Sequence, residues 1–66
     1  MKHYWFSEDA TGEEFIVSAD SRTEATYAAQ DIAAAIIENY GYEHYILTYH
    51  GRLTDEEAEA SGLDEY

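Results

Sequence analysis

The chain has 66 residues, with fifteen aspartates and glutamates against three lysines and arginines, for a formal net charge of −12. That sign repels nucleic acid phosphate and anionic lipid surfaces, which excludes direct binding to DNA, RNA or a membrane and makes a basic protein the electrostatic complement. No cysteine is present, which excludes disulfides, thiolate metal sites and thiol nucleophiles, and an unstapled domain of this size fits a cytoplasm better than an oxidising compartment.

Sixty-six residues are expected to form one domain, residues 1–66. A chain this short buries only about 60% of its unfolded surface, so the core is thin. Hydrophobic residues nevertheless make up 45% of it, including one Trp, seven Tyr and two Phe. They recur in periodic segments, which argues for folding over charge-driven disorder, with the last few residues loose. The N-terminus, Met1 to Ser7, is too short an apolar run for a signal peptide, and Ile32 to Ile37 is too short to span a bilayer.

In chain order, residues 2–7 read as a first strand carrying Tyr4, Trp5 and Phe6. Glu8 to Glu13 is polar, contains Gly12, and has the length of a hairpin loop. Residues 14–19 form a second strand, with Phe15, Val17 and Ala19 on one face and Glu14, Ile16 and Ser18 on the other. A helix then runs from Arg22 to about Tyr40, free of proline and glycine, with Ser21 and Glu24 at capping-box spacing and Gly41 at the expected stop. Its apolar stripe reads Ala25, Ala28, Ala29, Ile32, Ile36 and Tyr40, flanked by Ala33 and Ile37.

Residues 44–49 read as a third strand, with Gly51 permitting a turn after it. Thr54 and Glu57 form a second capping box ahead of a short helix, Asp55 to about Ala60, closed by Gly62. Leu53 is placed to staple onto Ala58, and Leu63 to fold back after the cap. The fold class is therefore α+β in the order β-β-α-β: a three-stranded antiparallel sheet, order 2-1-3, packed against one helix, with a short C-terminal helix.

No catalytic constellation emerges, and the chain is read as a non-enzyme without cofactor or metal. His44 and His50, six residues apart on the expected third strand, would sit roughly 20 Å apart by strand rise and cannot share a metal ion. His3 is free to pair across strands with either. The carboxylate pairs Glu13-Glu14 and Asp55-Glu56-Glu57 fall at solvated loop and helix-start positions, where helix starts favour acid anyway. Nothing nearby would separate their pKa values for acid–base work.

What remains is a surface. Glu24, Asp31 and Glu38 recur every seven residues and lie on one outer stripe of the helix, about 10 Å apart. Tyr27 sits on the same polar side and Tyr42 in the turn beyond it. Asp55, Glu56, Glu57, Glu59, Asp64 and Glu65 make the last segment acidic, and the hairpin adds Glu8, Asp9, Glu13 and Glu14. A solvated helix face ordinarily mixes lysine with glutamate; this one does not. Carboxylates interleaved with exposed tyrosines suit a partner rich in arginine and lysine.

A chain combining Glu13-Glu14-Phe15-Ile16-Val17, a capped alanine-rich helix and the ending Ala60-Ser61-Gly62-Leu63-Asp64-Glu65-Tyr66 resembles small acidic phage-encoded inhibitors of host defence, the anti-CRISPR and anti-restriction proteins that mimic nucleic acid. The resemblance implies a bacterial host cytoplasm and a partner such as a CRISPR or restriction nuclease, bound through its nucleic-acid site. It assigns no role to any individual residue. Two alternatives stay open: a small phage accessory or structural protein acting as a homodimer through a strand edge or exposed tyrosines, and an acidic adaptor for a basic host protein.

Overall fold

The computed structural model describes residues 1–66. Strand β1 (Lys2–Glu8) and strand β2 (Glu14–Ala19) form an antiparallel hairpin, followed by helix α1 (Arg22–Asn39), strand β3 (Leu47–Leu53), helix α2 (Asp55–Ser61) and strand β4 (Asp64–Glu65). The sheet order is β3-β1-β2-β4. β1 is the central partner, antiparallel to both β2 and β3. The expectation of three antiparallel strands needs one correction: β4 adds to the far side of β2 in parallel, so the sheet has four strands and is mixed. The last residues are not loose. Tyr66 donates its amide to the Ile16 carbonyl and accepts from the Ser18 amide, both at 2.8 Å.

α1 lies across one face of the sheet, over Tyr4, Phe6, Phe15, Val17 and Ala19. The buried line of α1 is Ala25, Ala29, Ala33 and Ile37, a strict four-residue step. Three consecutive alanines on that line allow the helix backbone to lie close over the aromatic strand residues. The buried stripe is thus rotated from the expected one: Ala33 and Ile37 are central rather than flanking, Ala28, Ile32 and Ile36 are half-buried, and Tyr40 is exposed beyond the end of the helix. Ser21 accepts the Glu24 amide at 3.2 Å, but the Glu24 carboxylate makes no return bond, so only half of the first capping box forms. The C-terminus closes in a Schellman arrangement. Gly41, at φ +81°, donates to Glu38 and Tyr42 donates to Ile37, both at 3.0 Å.

The third strand begins later than its alternation suggested, at Leu47 rather than His44, and runs through Gly51 instead of turning there. His44 consequently lies in the connection from α1, not on the strand with His50. The pairing slips between Trp5 and Phe6: Phe6 faces Tyr49 while Trp5 faces Gly51, leaving His50 as the extra residue of a β-bulge. Gly51 takes φ +136° there, a value side-chain-bearing residues avoid. The slip has a consequence for packing, because one inserted residue exchanges the two faces of everything that follows. Arg52 pairs with Tyr4 toward the α1 face, and Leu53 pairs with His3 on the opposite face, where α2 packs against β1 and β3.

That second face holds a small apolar layer of its own. Ile16 is fully buried there, and α2 buries Ala58. α2 carries the complete capping box: Thr54 Oγ1 accepts the Glu57 amide at 3.1 Å, and Glu57 Oε1 accepts the Thr54 amide at 3.0 Å. Gly62 ends the helix at φ +72°. The order of layers is thus α1, sheet, then α2 over part of the sheet.

Candidate functional site

The acidic surface follows from these layers. On α1, whose inner line is alanine, the outward ridge carries Glu24, Tyr27, Asp31 and Glu38, all exposed, with the bare Ala34 and Ala35 between the last two carboxylates. Tyr42 is exposed just beyond the helix. Asp55, Glu56, Glu57, Glu59, Asp64 and Glu65 belong to α2 and β4. The α2 carboxylates lie across the sheet from α1, and β4 lies at the edge beyond β2. The eleven residues singled out by sequence are all exposed, but they do not form one surface. A flat partner reaching the α1 ridge does not reach α2.

Hydrogen bonding separates the fifteen carboxylates further. Six are held by protein donors. Glu8 accepts from Thr11 and Glu13, Asp9 from the Ile46 amide at 2.6 Å, and Glu14 from the Trp5 indole at 3.0 Å. Glu57 accepts from Thr54, while Asp55 and Glu65 both contact His3. The α1 ridge carboxylates are not among them. No lysine or arginine lies within ion-pair distance of any carboxylate; the two ion pairs present both belong to His3. Arg22 instead lies over the Tyr49 ring, 4.0 Å from its centroid.

Glu38 is informative on its own. It sits in the last turn of α1, which carries no basic residue. Carbonyls at that end leave a partial negative charge, so a carboxylate there costs roughly 0.3–1 kcal/mol relative to a neutral residue. A position that breaks a local rule without a structural return is a candidate for function.

His3 pairs with neither His44 nor His50. It is found between two carboxylates instead: Nε2 lies 2.6 Å from Asp55 Oδ1, and Nδ1 contacts Glu65 Oε2. Glu65 also accepts from the Ser18 hydroxyl. Only the imidazolium carries a proton on both nitrogens, so both contacts together require the charged form. Hydrogen bonds donated to Asp55, and then to Glu65, raise the His3 pKa above its ordinary 6.5 against a smaller effect of burial. The Ser18 hydroxyl and then His3 hold Glu65 below the ordinary carboxylate value.

This clamp ties β1 to the start of α2 and to β4, and its sign sets a pH dependence. A raised histidine pKa contributes stability that is complete below 6.5 and is lost as pH rises through the folded value. Urea unfolding of the native chain is therefore expected to show falling stability from pH 6 upward, a loss that His3→Gln removes. An unchanged pH slope in that variant would show that the clamp contributes nothing.

His50 accepts or donates to the Ser7 hydroxyl at 2.7 Å and lies against the Trp5 ring at 4.6 Å between centroids. No group of three or more His, Cys, Asp or Glu is arranged to hold a metal ion. No helix is long and apolar enough to cross a membrane.

The chain matches no family model, no curated protein and no solved structure. Geometry and charge are what bear on its function. The arrangement offers rows of carboxylates without a protein donor beside exposed phenol rings. Of the seven tyrosines, Tyr27, Tyr40, Tyr42 and Tyr66 are exposed. Tyr4, Tyr45 and Tyr49 serve the core, and the Tyr45 hydroxyl donates to the Gln30 carbonyl at 3.0 Å.

Proposed function

We propose that this protein is a binding domain without catalytic activity, which presents the α1 ridge to the basic, nucleic-acid-binding surface of another protein. A host defence nuclease of the CRISPR or restriction class is the partner to which its resemblance to acidic phage inhibitors points, encountered in the cytoplasm of a bacterial host. The single observation carrying this reading is the absence of any lysine or arginine ion pair on a chain with fifteen carboxylates. An unpaired acidic ridge is costly to a small fold, and it gains full Coulombic return only against a cationic surface. Capture from bacterial lysate at low salt tests it. The bound fraction is expected to be rich in nucleic-acid-binding proteins and to be released by moderate salt. A bound fraction lacking such proteins would remove the proposal.

A second reading has its own observation. β3 is an open sheet edge, and residues 44–54 contain no carboxylate, so a second copy could pair there without bringing acid against acid. Sedimentation at low and high salt discriminates: a salt-insensitive dimer favours this reading, a monomer the first.

A further inference from the structure

The face opposite α1 carries a cleft of about 530 Å³ with a floor of Trp5, Leu53, Ala60 and Leu63, and with Glu14 and Glu57 in its wall. Its two carboxylates are not loosely placed. Glu14 is fixed by the Trp5 indole N–H at 3.0 Å and Glu57 by the Thr54 amide at 3.0 Å, each bond using one carboxylate oxygen and leaving the other without a protein donor. The indole is itself braced by His50 at 4.6 Å. The capping bonds from Thr54 hold Glu57 below the ordinary carboxylate value, so it stays ionised. The cleft therefore combines an apolar floor, an aromatic ring and two positioned anionic oxygens. That pattern is complementary to one kind of side chain: an aliphatic stem ending in a planar cation, able to lie along leucine, approach an indole and donate to two carboxylates.

We propose that this cleft is an arginine-binding site, which receives a single arginine side chain from a basic partner molecule approaching the face opposite α1. The identity of the natural donor rests on the basic-partner reading; the recognition of arginine by the cleft does not.

The test uses the whole chain, with acetyl-arginine methylamide as probe and acetyl-norleucine methylamide as its neutral counterpart, followed by NMR at the indole N–H of Trp5 and the methyls of Leu63. Trp5 is the only tryptophan, so its indole signal needs no assignment by mutation. The arginine probe is expected to shift both signals saturably, and the Glu14→Gln/Glu57→Gln double variant to bind it at least about tenfold more weakly. Glutamine retains an acceptor for the indole and completes a capping box as glutamate does, so the variant keeps its fold while losing both charges. The α1 variant E24K/D31K/E38K is expected to bind the probe as the native chain does. Equal binding of the norleucine probe, undiminished binding by the double glutamine variant, or shifts confined to α1 would each overturn the site. Any of those results would leave the lysate capture, and with it the α1 reading, standing on its own.

Discussion

Charge reversal of the α1 ridge, E24K/D31K/E38K, is expected to leave the chain folded and to weaken capture of its basic partner on the order of a hundredfold. Three exposed contacts, each contributing about 1 kcal/mol, combine to roughly that factor, and the new lysines add repulsion against a cationic surface. Folding survives because the helix-end effects offset. Glu24 lies in the first turn of α1, where a carboxylate is favourable, and its reversal costs roughly 0.3–1 kcal/mol. Glu38 lies in the last turn, where reversal returns a similar amount. None of the three side chains packs in the core, since all are exposed. Glu38→Lys alone is therefore expected to raise the melting temperature by several degrees, about 4–8 °C per kcal/mol for a domain of this size, while it weakens binding. A stabilising substitution that costs function is the signature of a residue kept for its surface role. Thermal melts and titration of the captured partner read the two effects separately.

Glu8→Ala is expected to be the most damaging single carboxylate substitution, at about 2–4 kcal/mol, or a fall in melting temperature on the order of 10–20 °C. Glu8 is 1% exposed. Its carboxylate accepts from the Thr11 amide at 3.1 Å, the Thr11 hydroxyl and the Glu13 amide at 3.0 Å. Removing it leaves the Thr11 amide and hydroxyl without an acceptor, leaves the Glu13 amide only its longer bond to Thr11 Oγ1 at 3.3 Å, and opens a gap at the end of β1. The turn it organises carries Asp9, which accepts from the Ile46 amide at 2.6 Å and donates its own amide to the Ile46 carbonyl at 3.2 Å. Losing Glu8 thus loosens the entry to β3 as well as the hairpin. Burial pushes the Glu8 pKa up, but the Thr11 hydroxyl and the amides of Glu13 and Thr11 outweigh it and hold the group below its ordinary 4.5. A depressed carboxylate contributes stability that is present above 4.5 and is lost as pH falls through the folded value. Acid unfolding of the native chain should show this loss, and Glu8→Gln should show less of it. A Glu8→Ala melt within a few degrees of the native chain would contradict this account of the turn.

Much of the architecture is written in local patterns. The alternation of Phe15, Val17 and Ala19 with Glu14, Ile16 and Ser18 places β2, and the glycine-free, alanine-rich run after Ser21 places α1 within a residue at its end. The Thr54–Glu57 capping box is equally local and forms in full. What sequence does not show are features made by partners far along the chain. Tyr45 and Ile46 alternate like strand residues, yet the Tyr45 hydroxyl is taken by Gln30 and the Ile46 amide by Asp9, so β3 starts later. Asp64-Glu65 has no strand propensity, and β4 exists because the backbone of β2 offers it a ladder. The bulge at His50 sends Leu53 to the α2 face, a change of phase that no spacing rule announces.

The candidate site divides in the same way. The seven-residue recurrence of Glu24, Asp31 and Glu38 gives the α1 ridge directly, because a helix surface is periodic and nothing else packs on it. Carboxylates with internal duties could not be told from free ones. Glu8 is buried, Asp55 and Glu65 grip His3, and Glu14 holds an indole, all through residues distant in sequence or across a turn. The cleft over Trp5 is invisible for the same reason, since its floor joins β1, β3, α2 and the residue before β4.

Competition between this protein and nucleic acid for the captured partner tests the central claim most directly. Duplex DNA or RNA is titrated into the preformed complex, and the species are separated by gel filtration. A protein whose acidic ridge takes the place of a phosphate backbone is displaced stoichiometrically as nucleic acid binds, with no species containing all three. A stable ternary complex of partner, nucleic acid and this protein would contradict the claim.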